Sequence, residues 1–301
     1  MNLILIAVLS LGAIAILLAL ILYAASKRFA VYEDPRIARV GEVLPQANCG
    51  GCGYPGCGAF AEACVKAATL EGKYCPVGGA AVMGQVAEIL GMSVQESEPQ
   101  VAVVRCNGTC EHRPRLNTYD GAKSCAIAAA LYGGETGCSY GCLGCGDCVS
   151  ACTFDAIHMN PITQLPEVID DKCTACGACV KACPKNIIEL RPKGKKSRRI
   201  YVNCVNKDKG AITRKACNVG CIACSKCVKA CAFDAIQVND NLAYIDPYKC
   251  RLCRKCVEVC PQHTITELNF PPRKPKVDAE EASEKPIPIE GSDAQNKIIT
   301  E

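Results

Sequence analysis

The 301-residue chain has no tryptophan, only five phenylalanines and ten tyrosines. Large cores rely on bulky side chains, so modules of this composition need something besides packing to hold them together. Histidine is almost missing: His112, His158 and His263 are the only three. No two of them are spaced to share a metal, and solvent or strand positions suit them better. A strong charge of one sign is absent as well. With a net charge of +4 and no aromatic-plus-basic pattern, the sequence does not look like a nucleic-acid binder.

What the sequence has in quantity is cysteine, 27 residues of it. Secreted disulfide scaffolds are short and spread their half-cystines over loops. Here the cysteines sit in tight runs, two residues apart, a spacing that suits shared metal centres and a reducing compartment.

Residues 3–25 form an uninterrupted apolar run. As a helix it would span about 35 Å, enough to cross a bilayer. No Lys or Arg precedes it and it is longer than a signal-peptide core, so an anchor is expected rather than a cleaved leader. Lys27 and Arg28 follow directly, which by the positive-inside rule puts everything after them in the cytoplasm, on the inner face of the plasma membrane.

Beyond a linker, "NCGGCGYPGC" and "KYCPVGG" supply Cys49, Cys52, Cys57 and Cys75. Such a set can wrap one 4Fe-4S cluster, the glycines letting backbone N–H groups approach its sulfurs. A zinc site is the competing reading of these four alone. Residues 51–56 also spell G-x-G-x-x-G, but Pro45 and Pro55 spoil the strand and helix that a dinucleotide fingerprint requires. Cys64 falls in helical phase with Phe60 and Ala67 and reads as a buried, inert thiol.

Four runs then repeat the spacing C-x2-C-x2-C-x3-C: Cys142, Cys145, Cys148 and Cys152; Cys173, Cys176, Cys179 and Cys183; Cys221, Cys224, Cys227 and Cys231; Cys250, Cys253, Cys256 and Cys260. The pair of runs recurs after 77 to 79 residues, so the chain contains an internal repeat. In each run three thiolates can curl around one cubane while a helix carries the fourth toward the cubane of the partner run. Cys183 is therefore expected to join Cys142, Cys145 and Cys148, and Cys152 to join Cys173, Cys176 and Cys179. Likewise Cys260 should join Cys221, Cys224 and Cys227, and Cys231 should join Cys250, Cys253 and Cys256. Between the runs of each pair, "AIHMNPITQLPEVID" and "AIQVNDNLAYID" read as hairpins. Cys183 and Cys260 are followed by proline, whereas Thr153 and Ala232 follow the other two fourth cysteines.

Seven cysteines remain: Cys64, Cys106, Cys110, Cys125, Cys138, Cys204 and Cys217. Cys125 and Cys138 precede Cys142 with the same gaps by which Cys204 and Cys217 precede Cys221. A sixth cluster on Cys106, Cys110, Cys125 and Cys138 is one reading, idle buried thiols the other. The basic run "RPKGKKSRR", Arg191 to Arg199, reads as a solvated linker or as a landing site for an acidic redox partner. The "NGT" sequon at Asn107 is inert in a cytoplasmic protein.

The sequence thus predicts an α+β chain: a transmembrane anchor (1–28), a small, mostly helical 4Fe-4S module (29–95), a first ferredoxin-like two-cluster domain with an upstream cysteine segment (96–192), a second (193–268) and a disordered tail (269–301), the last rich in Pro and charge.

An N-terminal span, the C-x2-C-x4-C-x17-C-P module and the ferredoxin-like repeats, "SYGCLGCGDCVSACTFDAI" above all, resemble the B subunits of Rnf complexes over residues 1 to about 268. These are membrane-anchored iron–sulfur subunits of ion-translocating ferredoxin:NAD oxidoreductases. The resemblance implies five 4Fe-4S clusters, soluble reduced ferredoxin as electron donor, and integral-membrane and flavin- and NAD-binding subunits as partners. It also implies that the second ferredoxin copy belongs to longer members. Many relatives carry an apolar residue where Cys145 stands, which leaves Cys138 and Cys145 as rival ligands beside Cys142. No flavin or nicotinamide site is visible in this chain, and its span has no ionisable residue, so ion translocation would fall to other subunits. A relay subunit of another membrane dehydrogenase or hydrogenase-like complex, and a cluster-based redox sensor, are the alternatives; a zinc-holding interaction protein would be colourless.

Overall fold

The computed structural model describes residues 3–29, 34–93 and 98–273. Helix α1, Leu3–Arg28, is built from strong apolar helix formers and ends on the two basic residues that suit a helix C-terminus. It is the one helix among the described residues long and apolar enough to cross a membrane. Its described side chains, Leu9, Leu17 and Leu22 among them, are exposed, as a lipid-facing or partner-facing helix requires.

Three helices follow: α2 (Pro35–Val43), α3 (Cys57–Lys66) and α4 (Gly79–Leu90). The start of α2 is fixed by Asp34, whose carboxylate accepts from the Arg36 backbone N–H at 2.9 Å, with Pro35 in the first turn. Gly91 in the left-handed region closes α4. Val40, Phe60, Cys64, Met83 and Val86 interlock as the core of this module. Cys64 lies in that core, fully buried.

Two similar α+β halves make up the chain from there to residue 269. The first runs β1 (Gln100–Val104), α5 (Cys125–Leu131), α6 (Asp147–Ser150), β2 (Ile157–Met159), β3 (Pro166–Val168), α7 (Ala178–Ala182) and β4 (Ile188–Pro192). The second runs β5 (Arg199–Val202), α8 (Gly210–Ala216), α9 (Lys226–Ala230), β6 (Ile236–Asn239), β7 (Leu242–Ile245), α10 (Lys255–Glu258) and β8 (Ile265–Leu268). The four sheets among the described residues are two-stranded and antiparallel. β2 pairs with β3 and β6 with β7 as local hairpins, while the first strand of each half pairs with its last, β1 with β4 and β5 with β8.

Asn160 shapes the first hairpin, its Oδ1 accepting from the backbone of Ile162 at 2.8 Å and Thr163 at 3.1 Å. Asp240 and Asn241, both at positive φ, form the two-residue turn of the second. The closing pairs β1–β4 and β5–β8 go beyond what the sequence predicts, because nothing local in a short apolar run names a partner so distant in the chain.

Arg191 and Arg199, the ends of the basic run, are buried. Arg199 grips both carboxylate oxygens of Asp170, at 2.8 and 2.7 Å. Arg191 pairs with Glu189 and lies 5.0 Å from the centroid of the Tyr244 ring. The ends of the run therefore fasten one half to the other, and only its middle, with Lys195 and Lys196, is exposed. Residues 274–301, most of the expected disordered tail, lie outside the described residues.

Candidate metal centres

All 27 cysteines are free thiols. The structure gathers most of them around cavities. Cys49, Cys52, Cys57 and Cys75 line one with Leu44, Phe60 and Val77. Local geometry explains how. Gly50 and Gly53 take positive φ between the first cysteines, and Asn48 Oδ1 accepts from the Cys57 backbone N–H at 2.8 Å, turning the chain into α3. A side chain at Gly56 would run into that Asn48 oxygen, 2.9 Å away. Gly78 N–H points at Cys75 Sγ from 3.4 Å.

In the first half, Cys152, Cys173, Cys176 and Cys179 line a pocket together with Ala102, Ile157 and Leu190. Ala102 N–H lies 3.5 Å from Cys173 Sγ. In the second half, Cys221, Cys224, Cys227 and Cys260 line another with Val202, Ala243 and Ile265, and Thr264 N–H lies 3.4 Å from Cys260 Sγ. In both, three cysteines come from one run and the fourth from the other. Cys250 has Cys253 and Cys231 as thiol neighbours, and Cys256 has Cys250 and Cys253.

Such cavities fit inorganic cubanes. One zinc ion with Zn–S bonds of about 2.3 Å would draw its four thiolates to roughly 3.8 Å of one another. Among the described residues no three His, Cys, Asp or Glu side chains close in that way around a single ion. The walls are apolar and studded with backbone N–H groups aimed at sulfur, which suits an anionic cluster. Burial pushes the thiols of Cys179 and Cys256 up to about 12 and that of Cys227 up to about 11. The cradle by itself thus favours neutral thiols, and irons must displace their protons.

The group around Cys142 departs from the expectation. Cys148 has Cys125 and Cys183 as thiol neighbours, and Cys145, pushed up to about 11 mainly by burial and then by Cys125, donates to the Leu143 carbonyl at 3.7 Å. Cys125 is brought there by Asp147, whose Oδ2 accepts from Ser124 Oγ at 2.9 Å and Ala126 N–H at 3.0 Å. Burial opposes ionisation of Asp147, but N–H groups of Ala126 and Cys125 and the Ser124 hydroxyl outweigh it and hold the carboxyl below its ordinary range. The rival of Cys145 is therefore Cys125. Cys138 faces elsewhere, accepting from Asn206 Nδ2 at 3.5 Å.

The sixth set expected on Cys106, Cys110, Cys125 and Cys138 is corrected by the same geometry. Of these four only Cys106 and Cys138 line a common pocket, and neither Cys110 nor Cys125 reaches it. The identical gaps before Cys142 and Cys221 mislead because the first half has 31 residues between Cys106 and Cys138 where the second has 12 between Cys204 and Cys217. By element order Cys204 corresponds to Cys106, each two residues past the first strand of its half.

Comparison with known proteins agrees with this picture. A family model for a 4Fe-4S dicluster domain matches residues 141–187 and again 220–264, and a model for an Fe-S cluster site matches residues 44–76. The chain is 48% identical over 267 residues to the B subunit of the Na(+)-translocating ferredoxin:NAD(+) oxidoreductase complex of Acetobacterium woodii, covering 88% of its own length and 78% of the relative's. It belongs to the family of B subunits of ion-translocating ferredoxin:NAD oxidoreductases. The B subunit of the proton-translocating complex of Clostridium ljungdahlii is 44% identical over 89% of this chain and 94% of its own. That of the ion-translocating complex of Methanosarcina acetivorans is 43% identical over 80% and 89%. Relatives named for sodium and for protons thus match this chain almost equally well. The Aliivibrio salmonicida relative matches over only 52% of this chain, at 34% identity.

Proposed function

We propose that the chain takes electrons from reduced ferredoxin and relays them toward the membrane, as the iron–sulfur subunit of an ion-translocating ferredoxin:NAD oxidoreductase. The observation that carries this reading is the seriation of the cysteine groups. The module next to α1 abuts the first ferredoxin-like half where Gly51 meets the Cys176 backbone, with no room for a side chain between them. Cys179 in turn neighbours Cys148, Cys142 neighbours Cys106, Cys204 neighbours Cys221, and Cys256 neighbours Cys227. Thiols of successive groups thus neighbour one another from the first ferredoxin-like half into the second.

The ligand sets we assign are Cys49, Cys52, Cys57 and Cys75; Cys173, Cys176, Cys179 and Cys152; Cys221, Cys224, Cys227 and Cys260; Cys250, Cys253, Cys256 and Cys231; and Cys142, Cys148 and Cys183 with Cys145 or Cys125. Bound 4Fe-4S clusters would each accept and release one electron. The polypeptide's work is to hold them in line, shield them with apolar walls and aim N–H groups at their sulfurs. The domain limits of this reading fall near 28, 95, 192 and 268. The anchor would place the clusters on the cytoplasmic face of the plasma membrane, alongside the integral-membrane and flavin- and NAD-binding subunits.

Ferredoxin would dock where Cys253 is exposed between Lys249, Arg251 and Lys255, themselves exposed. The test is anaerobic purification of the full chain, with iron and sulfide counted and reduction by ferredoxin followed by EPR. At least about 20 irons per chain and reduction by substoichiometric ferredoxin are expected. Bound zinc without iron, or iron that ferredoxin leaves oxidised, would refute the reading.

A further inference from the structure

The two halves meet around a pocket whose cysteines are Cys106, Cys138, Cys204 and Cys217. We propose that these four hold a further 4Fe-4S cluster at the seam between the ferredoxin-like halves, linking the Cys142 group to the Cys221 group. The inference rests on the reading of the other pockets as cluster sites, with which this one shares a set of four converging cysteines.

Symmetry is the first argument. Cys106 follows β1 by two residues and Cys204 follows β5 by two, while Cys138 and Cys217 each stand four residues before the first cysteine of a ferredoxin run. Each half thus contributes one strand-end thiol and one thiol preceding its run, and the two pairs face each other. Four idle cysteines would have no reason to occupy matching places in both halves and then converge.

Electrostatics is the second. Arg113 borders the cavity, donates from Nη1 to the Cys142 carbonyl at 2.6 Å, and leaves a buried Nε without any partner. Leaving a buried cationic donor unmatched is costly unless an anion belongs beside it, and a cubane held by four thiolates is an anion. Room for the guanidinium is made by Gly141, where a Cβ would collide with Arg113 Nη1.

Donors to sulfur are the third. Asn206, 1% exposed, presents its backbone N–H to Cys204 Sγ at 3.4 Å and its Nδ2 to Cys138 Sγ at 3.5 Å. Arg105 ties the seam shut, donating from Nε to the Val202 carbonyl at 3.2 Å and from Nη2 to the Cys204 carbonyl at 3.1 Å. The assigned cradles share with this pocket N–H groups turned to thiols.

Native mass spectrometry of the anaerobically purified full chain counts clusters directly. Six are expected in the unaltered protein, about 24 irons; five, or five with one zinc ion, overturns the proposal. Cys138→Ser/Cys217→Ser should carry one cluster fewer, about four irons, with the EPR signals of the remaining clusters retained. A double variant that keeps all six overturns the ligand set. Should that variant fail to accumulate, Cys204→Ser answers the same question, and Cys110→Ser, altering an exposed thiol outside the cavity, must keep all six. Five intact clusters would leave the relay reading standing without this inference, whereas a chain without clusters would end both.

Discussion

Single thiols decide the cluster near Cys142. Cys125 is a thiol neighbour of both Cys145 and Cys148, and Asp147 pins the start of α5 that carries it. We expect either one to complete the set when the other is lost. Cys145→Ser and Cys125→Ser should each retain full iron, while the double variant should lose about four irons per chain; a loss of about four from Cys145→Ser alone would show that Cys125 cannot substitute. Cys64 is the opposite case, a thiol that packing has silenced. Burial pushes it up to about 11, Lys73 opposing and Cys52 and Cys75 adding to the effect. The folded, cluster-free chain therefore holds that proton where the unfolded chain has released it. Between about pH 9 and 11 the neutral thiol's contribution to stability is lost as pH rises, and below about pH 9 it is complete. Alkylation of Cys64 in cluster-free protein, read by mass spectrometry, should keep climbing about tenfold per pH unit to about pH 10, past the point near 8.5 where a free thiol levels off.

At the scale of elements, the contact that joins the membrane-side module to the first ferredoxin-like half is a bare backbone. A Cβ on Gly51 would come within 2.8 Å of the Cys176 carbonyl oxygen and 2.9 Å of Pro76 Cγ, and carbonyl backbone inside a cluster loop cannot step aside. Gly51→Ala should weaken the docking by about 1–3 kcal/mol, the usual cost of overpacking. Iron content should stay constant while limited proteolysis between the two parts speeds up severalfold, and an unchanged cleavage rate would show that they do not rely on this contact. Such a contact is not legible in sequence, because G-x-G-x-x-G says only that backbone comes close to something. The hairpins β2–β3 and β6–β7 are legible from their alternating apolar residues and Asn-rich turns, and the crossing of fourth cysteines from the helix that follows each third one. What stays hidden is non-local: the pairing of β1 with β4 and β5 with β8, the convergence of Cys106 and Cys138 on Cys204 and Cys217, and the conversion of Arg191 and Arg199 into buried struts. Most of these join segments far apart in the chain, for which local periodicity carries no signal.

Over the whole molecule, the module of Cys49 to Cys75 directly follows α1, and the second ferredoxin-like half is the part furthest from α1 along the chain. There Cys224 and Cys253 are exposed, and Lys249, Arg251 and Lys255 surround the latter with positive charge at a net charge for the whole chain of only +4. A local basic patch steers an acidic partner and raises its association rate more than it deepens final affinity, and salt screens it over about 10 Å at 0.1 M. Replacing all three with glutamate should therefore slow the second-order reduction of the clusters by ferredoxin about ten- to a hundredfold at low salt. The difference from the unaltered chain should shrink as ionic strength rises toward about 0.5 M. Reduction by dithionite, which needs no docking patch, should proceed to the same extent in both, and iron content should match. Stopped-flow absorbance at the cluster bands reads all of this in one experiment. Equal ferredoxin rates in the two proteins would move the docking site elsewhere, with the exposed Lys195 and Lys196 at the seam as the next surface to reverse.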